Sequence, residues 1–183
     1  MDKRDLLLTA LEAYKADSDA EIQQTMDFIK QNSDCFERTN LNGHVVGSAW
    51  ILSPDGQKVL LTHHKKLGLW LQLGGHADGD SDLWNVALRE ATEESGIQGI
   101  EFVTRDIFDI NIEVIPAYPK KNEPEHYHYD ICFLLKAPTE NFVISNESNS
   151  LKWTNKKELA DMADKGQLTE AMISMVQKWK KLG

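Results

Sequence analysis

The stretch that most constrains this chain runs from Asp82 to Ser95 and lies between Gly74-Gly75 and Gly96. At roughly 3.6 residues per helical turn, Trp84, Leu88 and Ala91 form one apolar stripe. Glu90, Glu93 and Glu94 then fall within about 100° of one another on the adjacent stripe, with Arg89 beside Glu93 at its margin. Gly96 is a good C-terminal stop. Such a helix packs on a sheet by one side and offers three carboxylates on another. Like charges at these spacings repel. A solvated acidic face tolerates that at a cost of a few tenths of a kcal/mol per pair. A hard divalent cation removes it altogether: magnesium takes oxygen ligands and binds through a few carboxylates plus substrate phosphates. An ion held in this way neutralises a diphosphate and activates water for attack on phosphorus. Before the helix, Gly74-Gly75 lets the backbone turn and approach a ligand closely, and the helix N-terminus adds free N–H donors. Gly74, Gly75 and His76 are therefore candidate substrate-binding residues, with an ordinary strand-to-helix turn as the alternative.

Around this segment the pattern is mixed. Leu7, Leu11 and Tyr14 recur at helical spacing, and Ser18 three residues before Glu21 opens a second helix with Ile22, Met26 and Ile29 on one face. The first 42 residues are expected to be a helical extension packed on a domain of residues 43–183, in preference to a free partner-binding hairpin. Val45 to Leu52, the turn Ser53-Pro54-Asp55-Gly56 and Lys58 to Thr62 read as a hairpin. Leu69 to Leu73 reads as a strand ending at Gly74-Gly75, with further strands at 100–108, 110–115, 128–135 and 150–154 and helices near 155–164 and 169–181. Without a regular βαβ alternation, this favours an α+β or layered α/β/α domain over a doubly wound sheet.

The formal net charge of -9 argues against a broad surface for long nucleic acid, though a small phosphate-bearing ligand shielded by cations remains compatible. No apolar run approaches the roughly 20 residues that a membrane span needs. The start of the chain lacks a signal-peptide pattern, and Cys35 and Cys132 form no metal or redox spacing. A cytoplasmic protein with two unreactive thiols is expected.

Gly75, Arg89, Glu90, Glu93, Glu94, Gly96 and Ile97, with Ala91 in an aliphatic position, together resemble the box of the Nudix hydrolase family. The resemblance spans about residues 43–164 through the hairpin, the strand before the box and the later Trp153 segment. It implies a Nudix fold, a mixed β-sheet sandwiched between helices, and hydrolysis of a diphosphate bond in a nucleoside diphosphate linked to another group. It also implies Mg²⁺, with Mn²⁺ as a substitute, held mainly by Glu90 and Glu94. Glu93 would assist in metal binding or proton handling and Arg89 would orient that carboxylate, so Glu93, Glu94 and Arg89 are the implied catalytic group. Many relatives pair as dimers, which leaves a homodimer open. The chain departs from the pattern at Ser81, where the family has a glutamate, and at Leu73, where a proline is usual. Ser81 is expected to be the helix N-cap, and Asp80 or Asp82 is a substitute carboxylate to be checked.

Outside the box, Pro116 to Tyr127 reads as a lid carrying Lys120 and Lys121, or as a solvated connector. Trp70 could stack on a base or fill the core, and Glu147 stands where some relatives supply an additional carboxylate. His128 and Asp130 share a strand face. That face suits a pocket wall or a metal site, although an exposed face is the simpler account. His63-His64 raises the same choice.

Overall fold

In the computed structural model of the protein, residues 2–14, 19–64, 68–119, 122–143 and 148–182 are described. Helices α1 (Lys3–Ala13) and α2 (Asp19–Gln31) precede strand β1 (Gly43–Leu52), β2 (Lys58–His64), β3 (Trp70–Leu71) and β4 (Leu73–His76). Helix α3 (Leu83–Ser95) is followed by β5 (Glu101–Ile115), β6 (His126–Lys136), β7 (Ser148–Asn155), α4 (Lys156–Asp164) and α5 (Glu170–Lys181).

The period-two alternation of the strands gives the sheet two buried faces. Val45, Ala49 and Ile51 of β1 and Ile131, Phe133 and Leu135 of β6 enter one core. Leu7 and Leu11 of α1, Ile22, Met26 and Ile29 of α2, and Leu83, Val86 and Ala87 of α3 cover that side. Trp50, Cys132 and Leu134 face the other side, where α4 and α5 supply Leu159, Met172, Met175 and Trp179. This is the α/β/α sandwich expected from the sequence, and the helical leader shares its first core. Lys3 Nζ reaches Asp82 at 2.7 Å, which ties α1 to the start of α3. Ser18, on which the capping pattern before α2 depended, lies outside the described residues.

β1 organises the sheet, which has seven strands among the described residues. One edge runs parallel to β6, from Gly43 opposite Tyr127 to Leu52 opposite Lys136. The other edge is divided between β4, at Val46 to Ala49, and β2, at Ile51 and Leu52. β5 pairs antiparallel with β6, while β3 and β7 pair antiparallel with β2. α3 lies across β1 and β4.

Several boundaries differ from the sequence expectation. The single strand expected over Leu69–Leu73 is two, broken at Gln72 as the chain passes from the edge of β2 to the edge of β1. Gly74 and Gly75 lie inside β4, opposite Ser48 and Gly47, instead of ending a strand. The two strands expected over 100–115 are one, whose register shifts near Ile107 absorb the irregularity. Ser81 is not the N-cap of α3; Asp82 is, accepting from the Asn85 N–H at 3.3 Å. Asp, like Ser, offers an oxygen to a free first-turn N–H, and local pattern alone does not choose between neighbours. The C-cap is as expected, Gly96 at φ 68°, a left-handed conformation that glycine adopts without strain. In the 116–127 segment Tyr118 and Glu123 close a short bridge. Lys120 and Lys121 lie outside the described residues, as does Glu147. No helix of the described residues is long and apolar enough to cross a membrane.

Candidate functional site

Two of the three glutamates on α3 turn toward the glycine strand. Glu94 Oε2 accepts the backbone N–H of Gly74 at 3.0 Å. Glu90 lies flat against Gly75: a Cβ added there would stand 2.5 Å from Glu90 Oε2, so only glycine leaves the carboxylate its place. α3 brings these residues together because a four-residue step places Glu90 and Glu94 one turn apart on the same side, while the pairing of β4 with β1 fixes the glycines opposite them. Glu93 is exposed and makes no hydrogen bond or ion pair with the described residues. Arg89 differs from the expectation that it would orient Glu93. Its Nη2 donates to Glu90 Oε1 and to the His76 carbonyl, both at 3.0 Å, and so fastens the helix to the end of β4.

Neither aspartate beside Ser81 offers a free carboxylate. Asp80 accepts from the Asp82 N–H at 2.9 Å and from Asn85 Nδ2 at 2.8 Å, whereas Asp82 caps the helix and pairs with Lys3. The N-terminal turn of α3 is held by these two residues.

The opposite face of β4 meets a second group that the sequence did not bring together. The parallel register sets His44 opposite His128, and β4 ends at His76 opposite Val46. The ring centroid of His44 lies 5.0 Å from that of His76 and 4.6 Å from that of His128, with His126 at the rim. Burial, followed by the neighbouring charge of Arg38 and the other imidazoles, pushes His76 down to about 4. Burial and the surrounding histidines push His128 down to about 3, and His44 is lowered for the same reasons. In each ring these effects favour the neutral form.

Beyond them Asp130 is buried, with Gln72 Nε2 donating to its Oδ2 at 2.8 Å and Oδ1 left without a hydrogen bond of normal geometry. Burial raises its carboxyl to about 7, and Glu113 nearby adds to the rise against the opposing effect of Ser48 and Gln72. Glu113, opposite His128 in the sheet, is raised by its own burial. The exposed strand face expected for His128 and Asp130 is thus corrected: His128 is half-buried and Asp130 buried, because His44, His76 and Gln72 crowd against that face. The alternation of His126, His128 and Asp130 was a usable signal, but His44 had none, since only a pairing across 84 positions brings it to His128. Trp70 stands apart on β3, packed against the second core with its ring 5.0 Å from His63. Cys35 and Cys132 are free and buried, and burial raises both thiols.

Comparison with known proteins adds four findings. Residues 43–175 match the family model described as NUDIX domain. The m7GpppN-mRNA hydrolase NUDT17 of Bos taurus is 34% identical over 115 residues, covering 56% of this chain; the chain spans about a third of that relative's length, 33%. A hydrolase of the NUDIX family from Clostridium perfringens has a similar structure, with a TM-score of 0.58 and 22% identity over 76% of this chain and 98% of that one. An Ap4A hydrolase of C. elegans, solved as a binary complex, gives a TM-score of 0.54 at 20% identity, over 75% and 96% of the respective chains.

Proposed function

The chain belongs to the NUDIX domain family, and from that premise we propose that it hydrolyses a diphosphate bond in a nucleoside diphosphate linked to another group, or in a similar small molecule, with Mg²⁺ held at Glu90 and Glu94. The observation that carries this is the convergence of Glu90 and Glu94 on the consecutive residues Gly75 and Gly74. The donor set fits the ion: charged oxygens at the end of a strand, with Glu93 exposed beside them, suit a hard cation that keeps waters and shares phosphate oxygens. When bound, Mg²⁺ supplies charge neutralisation at the diphosphate and a more acidic water. Arg89 restrains Glu90 and the His76 carbonyl, so one ligand and the loop backbone keep a fixed spacing. Glu94 accepts the Gly74 N–H, which sets its carboxylate against β4 beside Glu90. Glu93, with no other partner among the described residues, is the group free to take a proton from the attacking water.

A panel of dinucleoside polyphosphates, nucleotide sugars and capped nucleotides assayed with Mg²⁺ tests this, and turnover of at least one is expected. Folded, pure protein that turns over none of them defeats the proposal. Gly75→Ala is expected to lower kcat/KM by about a hundredfold, because displacing Glu90 by about an ångström disturbs the site far more than the fold. Its melting temperature should barely move, since the new methyl meets the flexible end of a side chain. An active Gly75→Ala enzyme would separate Glu90 from the reaction.

A second reading, nucleotide binding without turnover, is favoured by Ser81 together with the engagement of Asp80 and Asp82 in helix capping. Calorimetry distinguishes it: tight binding of a diphosphate with no product formed would identify a sensor.

A further inference from the structure

His44 is 4% exposed, and neither of its ring nitrogens makes a hydrogen bond of normal geometry, although the Asn40 backbone lies close enough to affect its basicity. A buried imidazole with both nitrogens unpaired costs stability unless something else satisfies it. What surrounds it is two more imidazoles. One ligand atom each from His44, His76 and His128 lies within 4.8 Å of the others. We propose that His44, His76 and His128 form a binding site for a divalent transition metal such as Zn²⁺, separate from the glutamates of α3.

Three neutral nitrogen donors suit zinc, nickel, copper or iron, whereas magnesium prefers oxygen. Zinc sites with three protein ligands keep a fourth position for water or a substrate atom. At Zn–N bonds of about 2.1 Å a tetrahedral ion needs nitrogens roughly 3.4 Å apart, which modest rotation of the rings would reach. His126 borders the set, its Nε2 3.3 Å from His128 Nε2 and its Nδ1 2.9 Å from the Pro124 carbonyl, which fixes its ring as outer-sphere partners are commonly fixed. Arg38 and Asp78, which face the cluster, are paired with each other at 2.5 Å and 2.7 Å, and Glu113 stands opposite His128 on β5. Because successive side chains of a strand point to opposite faces, His76 and Gly75 direct the two metal sites to opposite sides of β4.

The test is a titration of tag-free, chelator-treated protein with Zn²⁺ in saturating Mg²⁺, followed by calorimetry and, with Co²⁺, by visible absorption. One tight site with nitrogen-ligated Co²⁺ bands is expected. His44→Gln and His128→Gln should each weaken Zn²⁺ by more than about a hundredfold, beyond what loss of an outer-sphere partner costs. The double variant Glu90→Gln, Glu94→Gln should keep the site, so failure here and failure of the hydrolase proposal give different results. His128 is only partly buried, and circular dichroism of its variant provides the fold control if the His44 variant does not fold. Absence of Zn²⁺ binding by the parent, unchanged binding in folded His128→Gln, or loss of binding in the glutamate variant would overturn the proposal.

Discussion

Glu94→Gln is expected to reduce turnover of a diphosphate substrate by about a thousandfold or more with the fold intact. Gln matches Glu in shape and keeps a carbonyl oxygen to accept the Gly74 N–H, so the contact that positions the side chain against β4 survives. What disappears is the negative charge. Metal-assisted stabilisation of a developing phosphoryl charge is worth several kcal/mol, and roughly 4 kcal/mol corresponds to a thousandfold. The effect belongs in kcat more than in KM, because uniform substrate binding would be little changed. Steady-state kinetics across a range of Mg²⁺ concentrations measures this. Partial rescue at high Mg²⁺ would place Glu94 on the cation, and near-parental kcat at every concentration would remove it from the site.

The largest stability effect is expected from Lys178→Met. Lys178 on α5 donates to Asp109 on β5 and, at 2.7 Å, to the Tyr14 hydroxyl just past α1, so it joins both helical layers to one strand. The carboxylate lies deeper than the ammonium: their side chains are 4% and 25% exposed. Burial therefore raises the Asp109 carboxyl in spite of the opposing pull of Lys178. For Lys178 burial acts downward, but Asp109 and Tyr14 outweigh it and hold the ammonium above its usual range. Removing the cation leaves a buried carboxylate alone. Such breakage costs about 3–5 kcal/mol, and the partial exposure of Lys178 favours the lower end. For a chain of this size about 3 kcal/mol lowers Tm by roughly 6–12 °C.

The pH dependence has a definite sign. A carboxyl raised in the fold keeps its proton to higher pH than in the unfolded chain, so its unfavourable contribution grows as pH rises from the ordinary aspartate range through the folded value. Without Lys178 to oppose burial, that window widens upward. The Tm difference between Lys178→Met and the parent should therefore be smaller at about pH 4 than at pH 7. An equal loss at both would mean that the variant suffers from lost packing and not from an unpaired charge.

The sequence revealed what periodicity controls. The apolar stripe of α3, its stop at Gly96 and the acidic side carrying Glu90 and Glu94 follow from a 3.6-residue repeat, and the structure reproduces them. The hairpin of β1 and β2 was legible because Pro54-Asp55-Gly56 is local turn chemistry. The glycines inside β4 were not, since their strand character depends on the edge that β1 presents to them. The choice of Asp82 over Ser81 as the cap depends on a backbone bend of one residue. The histidine cluster was the least visible, as His44 has no periodic partner and enters only through the register of two strands far apart in sequence.

That central pairing also dictates an order of events during synthesis. At about 5–20 residues per second the ribosome needs several seconds after completing β1 to deliver β6. Until then Trp50 lacks its neighbouring strand, and Trp50, Val59 and Leu61 all lack the C-terminal helices that cover them. A nascent chain paused in that interval would carry an apolar sheet surface open to solvent, a natural hold for a chaperone, and the side of β4 on which His76 meets His128 would take its final shape late.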